Sequence, residues 1–169
     1  MKTLFIARHG KSDWHNMDQN DIERPLKSRG IENCIEMSQA LIARNALPEI
    51  IFSSPAVRAY ESAKIFADEM HLPLDSLKVD PSLYLPDFPT MLKTILYLDK
   101  ALKSAMIVGH EPSISTFINY FIAKPIEKVV TGSVTVLVFD TNDWRDISPS
   151  ILKEGWHISR HKPKGFSIT

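Results

Sequence analysis

The chain has 169 residues, of which 44% are apolar and 24% charged, with 20 basic against 20 acidic side chains and a single cysteine, Cys34. A net charge of zero argues against a general nucleic-acid or membrane-surface role, since both draw on a positive excess. One cysteine excludes an intrachain disulfide and fits a reducing compartment, no apolar run reaches the roughly 18 residues that span a bilayer, and the apolar stretch before Arg8 is too short for a signal peptide; the expectation is a cytoplasmic protein whose residues 1–169 form one domain.

In chain order, Thr3–Ala7 reads as a short core strand, and it runs without a polar spacer into Arg8, His9 and Gly10. The polar stretch "WHNMDQNDIE" over 14–23 reads as a flexible surface loop. Ile31, Ile35, Ser38, Leu41 and Ile42 recur at helical spacing between Gly30 and about Asn45, and Pro48 closes the exit. Glu49–Ser53 reads as a second strand. Pro55 then opens a helix with Ala59, Ala63, Phe66, Ala67 and Met70 as its buried stripe. "PDFPT" starts a helix over Phe88–Leu98, Ala105–Val108 is a third strand, and a helix from near Pro112 carries Ile114, Phe117, Ile118 and Phe121. Val134–Phe139 is a fourth strand. "WHIS" is a candidate antiparallel edge strand, the basic "RHKPKGF" a solvated tail, and His71, His157 and His161 surface residues. Strands alternating with helices predict a three-layer α/β/α sandwich around a mostly parallel central sheet.

In such a sheet ligands bind beyond the carboxyl ends of the strands. The first strand ends in Arg8-His9-Gly10, the second leads to Arg58, and the third ends in Gly109-His110-Glu111-Pro112, so topology alone brings two arginines and two histidines to one edge. Arginine offers a planar fork of donors for phosphoryl oxygens, and helix N-termini add N–H groups. Gly10 is expected to let the backbone approach a bound anion. A neutral imidazole can attack phosphorus and carry the phosphoryl group, while the remaining cations hold its charge. Taken singly, Arg8 is as well explained by a surface ion pair, Arg58 by a solvated helix position and His110 by a strand-end hydrogen bond; it is the convergence that points to phosphate. The two histidines lack a carboxylate or thiol at ligand spacing, so no metal site is expected.

"ARHGKSDW", "ERPLKSRG", "SSPAVRAYESA", "YLPDF" and "IVGHEPSIS", in this order, resemble the histidine phosphatase superfamily, and the small size and "HGKSDW…RPL…RG" spacing resemble its SixA-type phosphohistidine phosphatases. The resemblance implies a phosphoglycerate mutase-like fold, His9 as the nucleophile that becomes phosphorylated, Arg8 and Arg58 as the phosphoryl clamp, His110 as the second pocket histidine, and no metal or cofactor. It implies as substrate a phosphohistidine on a signalling or carrier protein; the alternatives are a small phosphoester handled by a phosphomonoesterase or mutase of the same fold, and a non-catalytic phosphate-binding module. Other members place a general acid in the middle of the chain or just after the second histidine, where Asp87 and Glu111 stand here. Glu111 before Pro112 is also an ordinary helix-start carboxylate. SixA-type members do without such an acid, because imidazole is a ready leaving group. Lys11, Ser12 and Arg24 are candidates for the pocket rim. Sequence leaves the oligomeric state open.

Overall fold

The computed structural model describes residues 1–169. Seven strands, β1 (Lys2–Arg8), β2 (Ile50–Ser53), β3 (Leu77–Val79), β4 (Ser104–Gly109), β5 (Val134–Phe139), β6 (Leu152–Ser159) and β7 (Lys162–Ser167), form one sheet in the order β3-β2-β4-β1-β5-β6-β7. Pairing is parallel from β3 through β1 and antiparallel from β1 through β7. The parallel half is the part built from strand–helix repeats, as the sequence pattern requires.

Apolar runs become two-faced strands because successive side chains point to opposite sides. Leu4 and Ile6 of β1, Ala105 and Ile107 of β4 and Leu137 and Phe139 of β5 join one core; Phe5 and Ala7, Met106 and Val108, and Val134 and Val136 join the other. The first core is covered by α3 (Phe88–Leu96) and α4 (Ser113–Phe121), the second by α1 (Ser28–Ile42) and α2 (Val57–Glu69). Burying a side chain such as Phe66 or Phe117 contributes about 1.5–3 kcal/mol. The connection after β1 leaves toward the α1 face and the one after β4 toward the α4 face. That divergence opens a crevice between the carboxyl ends of two adjacent parallel strands, where His9 and His110 emerge.

Several expectations need correction. The buried face of α1 is Gly30, Asn33, Cys34, Met37, Ser38 and Leu41, leaving Ile31 and Ile42 42% and 40% exposed. Contact decides that face rather than hydrophobicity: a Cβ on Gly30 would lie 2.3 Å from the Lys11 carbonyl oxygen, and one on Gly10 would lie 2.6 Å from that of Gly30. Gly10 therefore admits a neighbouring helix, and its N–H is given to Ser62 Oγ. Next, "RHKPKGF" is no free tail: it runs into β7, paired with β6 at the sheet's edge, and buried Ile168 follows. "WHIS" lies inside β6, antiparallel to β5 as its sequence suggests, but β7 is the edge. Finally, His157 is only 5% exposed and shares a 2.8 Å hydrogen bond with Thr135 Oγ1. Its alternate place on a strand turns it inward. Among the described residues no helix is long and apolar enough to cross a membrane.

Candidate active site

A cavity of about 480 Å³ opens over the ends of β1 and β4. Arg8, His9, Lys11, Ser12, Arg24, Arg58, His110 and Glu111 all line it. Gly10 does not, and neither does Asp87, whose carboxylate caps α3 by accepting the Thr90 N–H at 2.9 Å. That capping bond holds the Asp87 carboxyl below its ordinary pKa.

His9 leaves β1 with its Nδ1 2.6 Å from the carbonyl of Gly10. A carbonyl only accepts, so Nδ1 carries the proton and Nε2 presents a lone pair to the cavity. Arg58, in the first turn of α2, donates from Nε to that same Nε2 at 3.3 Å. Burial, with the positive charges of Arg58, Arg8 and Arg24, pushes the His9 pKa down to about 4. The ring is thus neutral at pH 7, with the Nε2 lone pair facing the cavity.

His110, at the end of β4, stands with its ring centroid 5.1 Å from that of His9. Its Nε2 is 2.7 Å from Ser54 Oγ. Ser54 Oγ also accepts the Ala56 N–H at 3.3 Å, and among the described residues Nε2 is the acceptor within reach of its hydroxyl proton; donated there, that proton leaves the neutral ring's own proton on Nδ1. Burial and the neighbouring His9 and Arg58 lower the His110 pKa to about 3. Nδ1 of His110 and Nε of Arg8 are buried without a hydrogen-bond partner. Two orphaned donors on residues that line one cavity are what an anion site leaves when its ligand is away.

Arg8 is held by the segment before β5. Its Nη1 donates to the Val129 carbonyl at 2.7 Å, and Gly132 N–H reaches back to the carbonyls of Arg8 and His9 at 3.1 and 3.0 Å. Glu111 fixes the same segment, accepting the Val129 N–H at 3.0 Å on one oxygen and the Ser115 hydroxyl at 2.6 Å on the other. Both of its oxygens are therefore engaged in holding protein. Arg24 stacks on Trp14, 3.5 Å from the ring centroid, and gives Nη1 to Ser12 Oγ at 2.6 Å. Lys11 and Lys27 complete the basic lining.

The sequence pattern misses Asp21, Ser54, Tyr84 and Val129. Asp21 receives hydrogen bonds from Arg24, Arg58 and Tyr84, so the 14–23 stretch is tied into the cavity wall at that residue. An acid three positions before Arg24 was the one available signal. Val129 acts through its peptide group, which leaves no trace in side-chain identity. Among the described residues no group of three or more His, Cys, Asp or Glu side chains is placed to hold a metal ion.

Residues 4–83 match the family model of the histidine phosphatase superfamily, branch 1. An uncharacterized chloroplastic protein of Arabidopsis thaliana is 23% identical over 169 residues, which span 93% of this chain and 75% of that one. The solved structure of the protein histidine phosphatase SixA in complex with tungstate superposes with a TM-score of 0.77 at 20% identity, covering 93% of this chain and 96% of the other. A mycobacterial glucosyl-3-phosphoglycerate phosphatase superposes with a TM-score of 0.63 at 16% identity, covering 94% and 98%. At these identities the two superpositions establish a shared fold.

Proposed function

Residues 4–83, just under half of the chain, match the histidine phosphatase superfamily, and we propose that the chain is a member of it and acts as a metal-independent phosphatase that removes phosphate from phosphohistidine on a carrier or signalling protein, working as one domain in a reducing compartment such as the cytoplasm. The observation that carries this reading is the Nε2 lone pair of neutral His9, set among Arg8, Arg58 and His110. Nε2 forms a bond to phosphorus as the bond from phosphorus to the substrate imidazole breaks; that imidazole, already protonated from solvent on its other ring nitrogen, leaves as neutral imidazole. Arg58 Nε, Arg8 Nε and the Nδ1–H of His110 hold the charge of the transferring group. Water then attacks phospho-His9, the P–N bond breaks, and inorganic phosphate departs with His9 restored.

Absence of a free acid favours the phosphohistidine substrate over an alkyl ester. An alkoxide leaving group needs a general acid, often worth about 10²–10⁴ in rate. Here Asp87 is outside the cavity, Glu111 accepts hydrogen bonds from Val129 and Ser115, and Asp21, which also lines the cavity, is held as an anion by hydrogen bonds from Tyr84, Arg24 and Arg58.

The test compares wild-type protein and His9→Ala, in chelator, on a ³²P-phosphohistidine carrier protein and on p-nitrophenyl phosphate. Release from the carrier at the higher kcat/KM, lost in the variant, is the expected result. Preference for the ester would move the assignment to a small-molecule phosphomonoesterase. Oxyanion binding without turnover on either would indicate a binding module, and turnover that survives loss of His9 would remove the mechanism.

A further inference from the structure

A carboxylate has no obvious place in a cavity that gathers arginines, yet Asp21 lines it. Its side chain and its own peptide carbonyl take the end of the Arg58 fork: Nη2 donates to Oδ2 at 2.9 Å and Nη1 to the Asp21 carbonyl oxygen at 2.5 Å. The side edge of the fork, with Nε, is turned to His9 Nε2 at 3.3 Å. Asp21 is itself fixed from behind. Its Oδ1 accepts Arg24 Nε at 3.0 Å and Nη2 at 2.8 Å, and Oδ2 also accepts the Tyr84 hydroxyl at 2.7 Å.

A guanidinium can meet a phosphoryl group through its end or its side, and the two presentations aim the group differently. Here the end is filled by an anion belonging to the chain, and like charge keeps a phosphoryl oxygen away from it. We propose, building on the phosphatase reading, that Asp21 is a positioning residue: by holding the end of Arg58 it compels the Nε edge to meet the phosphoryl group in line with His9 Nε2. Burial alone would raise the Asp21 pKa, but hydrogen bonds from Tyr84, Arg24 and Arg58 hold it well below the usual carboxylate range, so the charge persists at every working pH.

This role separates turnover from binding. Asp21→Asn keeps the shape, removes the charge and leaves one acceptor oxygen. Its kcat on the phosphohistidine carrier is expected to fall at least tenfold, while tungstate affinity, measured by calorimetry, stays equal or rises because a negative charge has gone. Tyr84→Phe removes one donor to the same oxygen and is expected to shift kcat the same way by less. Crystal structures of the tungstate complexes are expected to show Arg58 Nε on the oxyanion in wild type and turned away in Asp21→Asn. Wild-type kcat in Asp21→Asn would overturn the proposal, as would a rise in kcat, which would make Asp21 an obstruction. Parallel loss of turnover and tungstate affinity would overturn it too, leaving only general support of the pocket. Should the wild type turn over no phosphoryl donor, the phosphatase reading fails by itself, and an unmoved Arg58 in the Asp21→Asn structure still refutes the positioning role.

Discussion

Each histidine in the crevice has one nitrogen assigned by a neighbour, and the assignments are opposite in purpose. Gly10 takes the proton side of His9 and leaves a lone pair; Ser54 takes the lone-pair side of His110 and leaves a proton. One ring can then attack and the other can donate, although both are the same side chain at the ends of adjacent strands. The Ser54 contact is open to a direct test. Ser54→Ala removes two hydrogen bonds, the one to His110 and the one from the Ala56 N–H, each about 0.5–1.5 kcal/mol, and frees His110 to hold its proton on either nitrogen. The expected result is a kcat about tenfold lower with little change in KM; wild-type kinetics would mean that the serine only packs. That serine was visible in "SSPAVR", but which of two adjacent serines faces the histidine depends on the strand's register, which composition does not reveal.

At the scale of elements, the meeting of α1 with the strand end decides the position of His9. Gly10 and Gly30 touch through backbone, and Gly10 supplies both the carbonyl that orients His9 and an N–H that donates to Ser62 Oγ at 2.9 Å. Gly30→Ala places a methyl group against the Lys11 backbone. It is expected to cost about 1–3 kcal/mol, read from urea unfolding, and to lower activity by shifting the Gly10 carbonyl; an unchanged midpoint would show that the contact relaxes freely. The same contact explains why the face of α1 was misread from sequence. Helical periodicity finds stripes, and of Ile31, Ile35, Ser38, Leu41 and Ile42 it places Ser38 and Leu41 inside correctly, but the close backbone approach at Gly30 rotates Ile31 and Ile42 outward. The stripes of α2 and α4 read correctly: Ala59, Ala63, Phe66 and Ala67 of α2 and Ile114, Phe117, Ile118 and Phe121 of α4 are all buried.

For the whole molecule, buried imidazoles set the response to acid. His9, His110 and His157 have pKa values of about 4, 3 and 4, all lowered chiefly by burial. Above the unfolded value of about 6.5 both states are neutral and these groups add no pH dependence. Below it the unfolded chain binds protons that the folded chain refuses, so stability falls as pH drops from about 6.5 to 4, by at most about 1.4 kcal/mol per pH unit for each histidine. Denaturant melts at pH 7 and 5 should show the loss, and His157→Gln should reduce the slope by about one proton without altering the pocket; an unchanged slope would place its titration elsewhere. The convergence of Arg8, His9, Arg58 and His110 was legible because it follows from strand order. Asp21 was not, because a loop carries no periodicity, and its tie to Arg58 spans residues far apart in the chain.

The hydrogen bond from Arg58 Nε to His9 Nε2 works like a protecting group in synthesis. It covers the reactive lone pair of the resting enzyme, so a stray proton, metal ion or electrophile must compete with a guanidinium already seated there. On the proposed phosphatase reading, a phosphoryl oxygen offers the guanidinium a better acceptor than a neutral imidazole, so the arriving substrate would itself uncover the lone pair and deprotection would need no other reagent.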